Sequence, residues 1–183
     1  MLTLETERLH MIPFTREMML LARGEQALLA RQCHIRIPED WPDPELAFVL
    51  PRWIADYAYK PAHQVWEGLI IRKQDNILIG NMGLKGGPDE TGRADVGYSI
   101  LPAFRNQGYA TEMLRAIIAW AFTDATNTIT TITAECYSDN SASIRVLKKA
   151  GLHCQRHIKD LLYWSINKQV ASDQANSLTE GSL

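Results

Sequence analysis

The stretch that decides the fold is Asp95 to Glu112, D-V-G-Y-S-I-L-P-A-F-R-N-Q-G-Y-A-T-E, where a β-rich run passes into a helix. From Asn106 to about Thr123 apolar residues recur every three or four positions, which is typical of a helix packed on a sheet. Arg105, Gly108 and Ala110 stand where this helix begins. The first N–H groups of a helix have no partner within it and favour an anion, and a glycine lets a phosphate approach the backbone closely. The stretch therefore predicts a phosphate cradle, although small residues here also ease the packing of helix on sheet.

Strand and helix patterns continue on both sides of this transition. The runs that predict strands are Leu2–Pro13, Gln64–Arg72, Asn76–Leu84, Arg93–Leu101, Thr128–Tyr137, Leu152–His157 and Leu161–Ile166. The segments that predict helices are one capped by Thr15, then Glu25–Cys33, Glu45–Tyr59, Asn106–Thr123 and Asn140–Ala150. This order indicates an α+β fold in which helices flank a mixed, largely antiparallel sheet. Residues 1–167 are expected to form one domain and residues 168–183 a polar C-terminal tail.

Composition and charge exclude several classes of protein. The 183 residues include 19 Lys and Arg against 21 Asp and Glu, a net charge of −2, so no basic excess points to nucleic acid as the partner. No run approaches the roughly 18 apolar residues of a membrane span, and no membrane association is expected. Three cysteines without a CxxC spacing favour a reducing, cytoplasmic location over a disulfide framework. The histidines show no ligand spacing, so no metal is expected.

Several motifs together resemble the GNAT N-acetyltransferase superfamily, in particular its RimJ/RimL-like branch. Arg105-x-x-Gly108-x-Ala110 matches the R/Q-x-x-G-x-G/A signature of that superfamily. The other matching stretches are Thr6–Leu9 (T-E-R-L), Val96–Tyr98 (V-G-Y), Gly108–Glu112 (G-Y-A-T-E) and Asn140–Leu152 (N-S-A-S-I-R-V-L-K-K-A-G-L). The resemblance covers the chain from about Leu2 to Ile166 in the family's order.

The resemblance implies that acetyl-CoA is the co-substrate. Its pantetheine arm would lie where the sheet splays, between the strand ending at Ile100 and Leu101 and the strand Thr128–Tyr137. Its pyrophosphate would bind the loop that opens the long helix. The cofactor-binding residues implied in this way are Ile100, Leu101, Arg105, Asn106, Gln107, Gly108, Tyr109, Ala110, Thr111 and Asn140. For Asn140 a plain helix N-cap is the alternative.

Three side chains are candidates for proton transfer. Ser143 matches the position proposed in this branch as the general acid for the departing thiolate. An amine must be neutral to attack the thioester, so a base or a water relay is needed, together with a backbone N–H near Ser99 to Leu101 for the oxyanion. Asp95, where relatives often carry Glu, and Glu135 are the candidate bases, with Glu67 third. An exposed strand carboxylate or an ion-pair partner is the simpler explanation of each.

Aromatic residues are concentrated in the region that sets acceptor specificity in this family. Trp41, Tyr57 and Trp66 are the candidate substrate-binding residues, since ring faces can wall a pocket for an amine. A small hydrophobic core beneath the loop is the alternative for Trp66. The acidic residues beside Trp41 suit a cationic substrate or form a solvated loop face; they are Glu39, Asp40, Asp43 and Glu45.

Three functions are compatible with these residues. The first is an acetyl-CoA-dependent N-acetyltransferase acting by direct attack on a primary amine, and we expect a small molecule as the acceptor. A protein N-terminus of the ribosomal-protein type is the alternative acceptor. The second is an acyl-CoA-binding module without catalysis. The third is an unrelated nucleotide binder that uses the same helix N-terminus, and the absence of a G-x-x-x-x-G-K-[S/T] motif argues against it. A homodimer is possible, because many relatives pair through sheet edges or helices.

Overall fold

The computed structural model, which describes residues 2–123, 128–169 and 171, has the predicted α+β architecture. Its helices are α1 (Arg16–Ala22), α2 (Gln26–Cys33), α3 (Pro44–Tyr59), α4 (Tyr109–Thr123) and α5 (Ser141–Lys149). Its strands are β1 (Leu4–Glu5), β2 (Leu9–Pro13), β3 (Glu67–Arg72), β4 (Ile77–Gly83), β5 (Arg93–Asp95), β6 (Gly97–Ile100), β7 (Thr131–Tyr137), β8 (His153–Ile158) and β9 (Leu161–Asn167). Pro61–Trp66 and Pro102–Phe104 form short 3-10 turns.

The strands form two sheets that separate beside Val96. One sheet has the antiparallel order β1-β2-β3-β4-β6, and the other has the order β5-β7-β9-β8 with β5 parallel to β7. The Val96 N–H donates to the carbonyl of Thr133 at 2.8 Å, after which the chain leaves β7 and pairs with β4. The prediction of one strand over Arg93–Leu101 is therefore wrong, because this run serves two sheets. The predicted splay is confirmed, since β6 and β7 diverge from this point.

Alternate residues of the central strands face two hydrophobic clusters. Leu69 and Ile71 of β3 pack with α1, α2 and α3, whereas Ile70 between them packs with α4 and α5. Leu78 and Ile79 of β4 divide in the same way. Because strand side chains alternate with period two, this sheet is covered on both faces.

Other boundaries differ from the sequence predictions for local reasons. The run Leu2–Pro13 is two strands, because the Thr6 N–H donates to the Leu9 carbonyl at 2.9 Å and closes a turn. The helix predicted from Asn106 begins at Tyr109, since Asn106 and Gly108 have φ values of 60° and 85° and cannot continue a helix. Of the predicted tail, residues 170 and 172–183 lie outside the described residues. Within the described residues, every helix is too short or too polar to cross a bilayer.

Candidate active site

A cavity of about 500 Å³ opens where β6, the start of α4 and the start of α5 meet; we call it the larger cavity. Eight of the ten predicted cofactor residues line it, together with Ser143. These eight are Ile100, Arg105, Asn106, Gly108, Tyr109, Ala110, Thr111 and Asn140. The structure thus brings together residues that the sequence places up to forty positions apart.

The start of α4 has the geometry of an anion cradle. Its first intrahelical bond runs from the Glu112 N–H to the Gly108 carbonyl at 3.0 Å, so the N–H groups of residues 109–111 precede the helical ladder. Gly108 lies in the left-handed region at φ 85°, which favours glycine. Three cations line the same cavity: Arg105, Arg145 and Lys149. Free amides and positive charge together suit a phosphate group.

The cradle is braced by a carboxylate that joins two of the sequence motifs. Glu112 Oε1 accepts from the Thr6 hydroxyl at 2.6 Å and from the Arg8 N–H at 3.0 Å, and Glu112 Oε2 accepts from Arg8 Nη2 at 2.6 Å. Arg8 Nη1 in turn donates to the Gln107 carbonyl at 3.0 Å. Burial would raise the pKa of Glu112, but the Thr6 and Arg8 hydrogen bonds outweigh it and lower that pKa. The T-E-R-L motif therefore holds the loop on which the cradle is built.

Two predicted cofactor residues do not line the larger cavity. Leu101 is fully buried in the cluster beneath α1–α3, and its N–H donates to the Ile79 carbonyl at 2.9 Å. The Gln107 side chain is exposed and donates to the Ala103 carbonyl at 3.2 Å, because the loop turns it away from the cavity. The structure thus places these two side chains outside the lining of the larger cavity, and their expected contacts with the cofactor stay predictions.

The edge of β6 that faces the gap carries free backbone groups. In the antiparallel β4–β6 ladder, the Leu101 N–H donates to the Ile79 carbonyl. Because residues of such a ladder alternate between bonding to the neighbouring strand and pointing away from it, the N–H groups of Tyr98 and Ile100 point away from β4. The Ile100 carbonyl is occupied by Arg105 Nε at 2.7 Å. Both N–H groups thus face the gap, available to an extended ligand or to a developing oxyanion.

Ser143 and Asn140 meet at the start of α5. Asn140 caps this helix by accepting from the Ser143 N–H at 3.0 Å, and it also lines the larger cavity. Ser143 Oγ lies 2.8 Å from the hydroxyl of Tyr98, and either group can donate. Burial, partly offset by the Ser143 hydrogen bond, raises the pKa of Tyr98 to about 12, so its hydroxyl is protonated at neutral pH. Tyr98 was not among the predicted site residues.

A second cavity of about 150 Å³, the smaller cavity, adjoins the first and shares Glu45, Tyr98 and Ser99 with it. The N-terminus of α3 is fixed beside this junction by one carboxylate: Asp43 accepts from the Leu46 N–H at 2.9 Å and, through its other oxygen, from the Ser99 hydroxyl. The first turn of α3 is thereby tied to β6. The floor of the smaller cavity is polar, because it includes Glu67 and Asn81.

Glu67 and Asn81 are buried polar residues on the sheet face beneath α3. Glu67 is 3% exposed and accepts from the Tyr57 hydroxyl at 3.2 Å. Burial raises the pKa of Glu67 to about 7, although the Tyr57 hydrogen bond and the charge of Lys85 act in the opposite direction. Asn81 is 8% exposed, and its Oδ1 accepts no hydrogen bond from any residue that the structure describes.

The two preferred candidate bases lie away from both cavities. Asp95 is paired with Lys85 at 2.5 Å and accepts from the Thr133 hydroxyl at 3.1 Å, and it lines neither cavity. Glu135 is exposed on β7 and also lines neither. Both residues belong to the sheet that diverges from β6, which moves them away from the shared lining. Their roles as bases stay predictions; of the three candidate carboxylates, Glu67 is the one that lines a cavity.

The predicted aromatic pocket is largely core. Trp41 is 1% exposed and packs against Phe14 at a ring distance of 5.9 Å, so it forms part of the cluster beneath α1–α3 rather than a pocket wall. Trp66 packs against Trp120 at 5.8 Å on the opposite side of the sheet. Tyr57 is buried and reaches the smaller cavity only through its bond to Glu67.

Comparison with known proteins identifies the family. Residues 8–153 match the model of the acetyltransferase (GNAT) domain. The chain belongs to this family. The uncharacterized N-acetyltransferase YjdG of Bacillus subtilis (strain 168) is 26% identical to this GNAT protein over 165 residues, which cover 90% of this chain and 97% of YjdG.

Solved structures share the GNAT fold. The ribosomal-protein-S5-alanine acetyltransferase from Vibrio fischeri has a TM-score of 0.65 at 14% identity and covers 92% of this chain and 97% of its own. FdhC, described as a nucleotide-linked sugar GNAT in its apo form, has a TM-score of 0.66 at 15% identity and covers 97% of each chain. The predicted GNAT membership and RimJ/RimL-like resemblance are confirmed.

Proposed function

We propose that this GNAT protein transfers the acetyl group of acetyl-CoA to a primary amine of a small molecule. The observation that supports this most directly is the meeting of two cavities of different charge at Tyr98 and Ser99. Arg105, Arg145 and Lys149 line the larger cavity around a helix N-terminus. Glu45 lines both cavities, and Glu67 lines the smaller one together with Lys85, whose ammonium is bound to Asp95. A phosphate-bearing donor and a cationic acceptor would thus each meet the opposite charge, with their reacting groups at the junction.

The larger cavity offers a partner for each polar part of acetyl-CoA. The amides of residues 109–111 and the side chains of Arg105, Arg145 and Lys149 would bind its phosphates. The free N–H groups of Tyr98 and Ile100 would pair with the pantetheine arm or with the acetyl oxygen.

Acetyl transfer at this junction needs few protein groups. The neutral amine nitrogen attacks the thioester carbonyl carbon, a C–N bond forms, and the C–S bond breaks to release CoA thiolate. The hydroxyl pair of Tyr98 and Ser143 would supply the proton that this thiolate takes up, because Tyr98 is protonated at neutral pH. The oxygen of the tetrahedral intermediate would accept from a backbone N–H of β6.

The size of the smaller cavity favours a small acceptor. Its volume is about 150 Å³, against about 500 Å³ for the larger cavity. Leu46, Val49 and Trp53 of α3 form its apolar side. These dimensions suit an aminoalkyl or amino-aryl group better than a folded protein end.

The test combines calorimetric titration with acetyl-CoA and a thiol-release assay. The acceptors are a panel of small primary amines and a matched panel of short peptides with free N-termini. We expect saturable acetyl-CoA binding and thiol release with small amines. Release with peptides alone would contradict the choice of acceptor. Binding without release from either panel would indicate the non-catalytic module, and no binding would contradict the whole proposal.

A further inference from the structure

The smaller cavity contains a carboxylate that the fold leaves without a cation. Glu67 is 3% exposed, and within the described residues it forms no ion pair. The nearby Lys85 ammonium is bound to Asp95 at 2.5 Å instead. Buried carboxylates are normally paired, because burying an isolated charge is costly. Glu67 is therefore expected to meet a partner that comes from outside the chain.

A second unpartnered group lies in the same cavity. Asn81 is 8% exposed, and its Oδ1 has no donor among the described residues. Asn81 stands opposite Ser99 in the β4–β6 register and opposite Leu69 in the β3–β4 register. Glu67 is two residues from Leu69, so Glu67, Asn81 and Ser99 share one face of the sheet. Glu67, which accepts from Tyr57 but has no cationic partner among the described residues, and Asn81 Oδ1, which has no donor there, would both suit a cationic N–H group at the place where the two cavities join.

The backbone makes room for this arrangement. A Cβ on Gly83 would lie 2.0 Å from Glu67 Oε2, so the carboxylate occupies the space that a side chain at position 83 would need. Gly97, next to Gly83 in the β4–β6 register, also lines the smaller cavity. A Cβ on Gly97 would lie 2.9 Å from Lys85 Cε, so the two glycines on neighbouring strands make room for the side chains of Glu67 and Lys85.

Building on the acetyl transfer proposed above, we infer that Glu67 is the general base of this enzyme and that Asn81 Oδ1 holds the acceptor nitrogen beside it. The acceptor enters as an ammonium and gives one proton to the Glu67 carboxylate. The resulting neutral amine attacks the thioester carbon. The nitrogen then loses a second proton, and the CoA thiolate takes up one, so these two proton transfers balance. Glu67 returns its proton to solvent before the next turnover. The acceptor is thus a compact, cationic primary amine.

The surroundings of Glu67 suit a base that works near neutral pH. The titratable groups that face it are Tyr57 and Glu45 from α3, Lys85 from the loop after β4, and Tyr98 from β6. Burial is the main reason that the pKa of Glu67 rises to about 7. A base with such a pKa is ionised above neutrality and still accepts a proton well.

The test is the pH dependence of thiol release with the amine panel, measured for the wild type and for Glu67→Gln. The matched controls are Asp95→Asn and Glu135→Gln, which remove the other candidate carboxylates. We expect wild-type kcat/KM to rise with pH about a midpoint near 7. Glu67→Gln should lose at least about 100-fold in kcat/KM and should lose this ionisation, while its acetyl-CoA affinity in calorimetry stays within about twofold. Glu135→Gln should keep both the rate and the midpoint, whereas Asp95→Asn should keep the ionisation but move its midpoint to lower pH, because it releases the Lys85 ammonium that lowers the pKa of Glu67.

A third variant separates a chemical role from a structural one. The Tyr57 hydrogen bond lowers the pKa of Glu67, so Tyr57→Phe should move the midpoint to higher pH, a shift that a purely structural role of Glu67 would not produce. A Glu67→Gln enzyme with the wild-type rate and pH midpoint would overturn the assignment of Glu67 while leaving the proposed function intact. Absence of transfer by the wild type to every amine would overturn both.

Discussion

Replacing Glu112 by Gln tests whether the brace behind the cradle holds the fold and the cofactor site together. The carboxylate accepts from the Thr6 hydroxyl, the Arg8 backbone and the Arg8 guanidinium at 2.6 to 3.0 Å. Glutamine has the same shape as glutamate but carries no charge. Its NH₂ group is a donor and would lie against the donor groups of Thr6 or Arg8, with which it cannot form the present hydrogen bonds. At least one charge-assisted bond to Arg8 is therefore lost.

The expected size of this effect follows from the exposure of the pair. A hydrogen bond to a charged group contributes about 1.5–3 kcal/mol when shielded from water. The side chains of Arg8 and Glu112 are 43% and 19% exposed, so solvent screens the pair and we expect about 1–2 kcal/mol. For a chain of this length that corresponds to a fall in Tm of about 2–8 °C. Because Arg8 also holds the Gln107 carbonyl, acetyl-CoA affinity should fall a few-fold.

Thermal unfolding at several pH values distinguishes the charge from the shape. The pKa of Glu112 is lowered in the folded state, so its contribution to stability is present above its ordinary pKa of 4.5 and is lost as the pH falls through the folded value. The gap in Tm between the wild type and Glu112→Gln should therefore be widest at pH 7 and should close below about pH 4.5. Glu135→Gln, which changes an exposed glutamate on β7, is the control and should leave Tm unchanged. A gap that is absent at pH 7, or that stays constant down to pH 3.5, would refute this reasoning.

Three further predictions concern the larger cavity. Gly108→Ala should lower the stability by about 1–2 kcal/mol, because φ at this position is 85°, and it should weaken acetyl-CoA binding in calorimetry. The control is Gly24→Ala, whose added Cβ would meet open space, and it should have neither effect. Ser143→Ala and Tyr98→Phe should each lower kcat more than they lower acetyl-CoA affinity. Because the two hydroxyls act as one pair, the double variant should have a kcat little lower than that of either single variant. Additive losses in steady-state kinetics would contradict this. Asn140→Asp keeps a capping oxygen but removes the NH₂ group, so it should bind acetyl-CoA more weakly at unchanged Tm, whereas Asn140→Ala should also lose about 1 kcal/mol of stability.

The larger cavity was the more predictable half of the site because its determinants are local in sequence. A helix N-terminus, a glycine and an arginine within six residues are enough to predict a cradle, and the structure places Arg105 and Gly108 in the lining. The splay was implied only by the family resemblance. The alternation from Arg93 to Leu101 is the same whether the run serves one sheet or two, and only the bond from Val96 to Thr133 shows where the chain changes partners.

Trp41 illustrates how a local pattern misleads. Its neighbours are acidic residues and prolines, a composition that indicates a loop and therefore a solvent-facing ring. A loop position does not determine what lies beneath the loop, however, and the indole packs against Phe14 in the layer of α1, α2 and α3. Its burial depends on Phe14, which is distant in sequence, and on how the helices pack against the sheet, so no pattern around position 41 predicts it.

Glu67 and Asn81 did leave a signal, which lies in the strands themselves. Glu67 begins β3 (E-G-L-I-I-R) and Asn81 interrupts β4 (I-L-I-G-N-M-G); apart from Arg72 the other residues of these strands are apolar or glycine, and such departures from a pattern are expected at functional sites. The folded state holds the Glu67 proton more tightly than the unfolded chain does, since the pKa rises from 4.5 to about 7. The contribution of Glu67 to stability, about 3 kcal/mol, is therefore fully present below pH 4.5 and is lost as the pH rises through 7. A neutral side chain at position 67 would remove this loss. The protein instead has a carboxylate there, beside an unpaired amide oxygen, and a reaction that uses the charge best explains this arrangement.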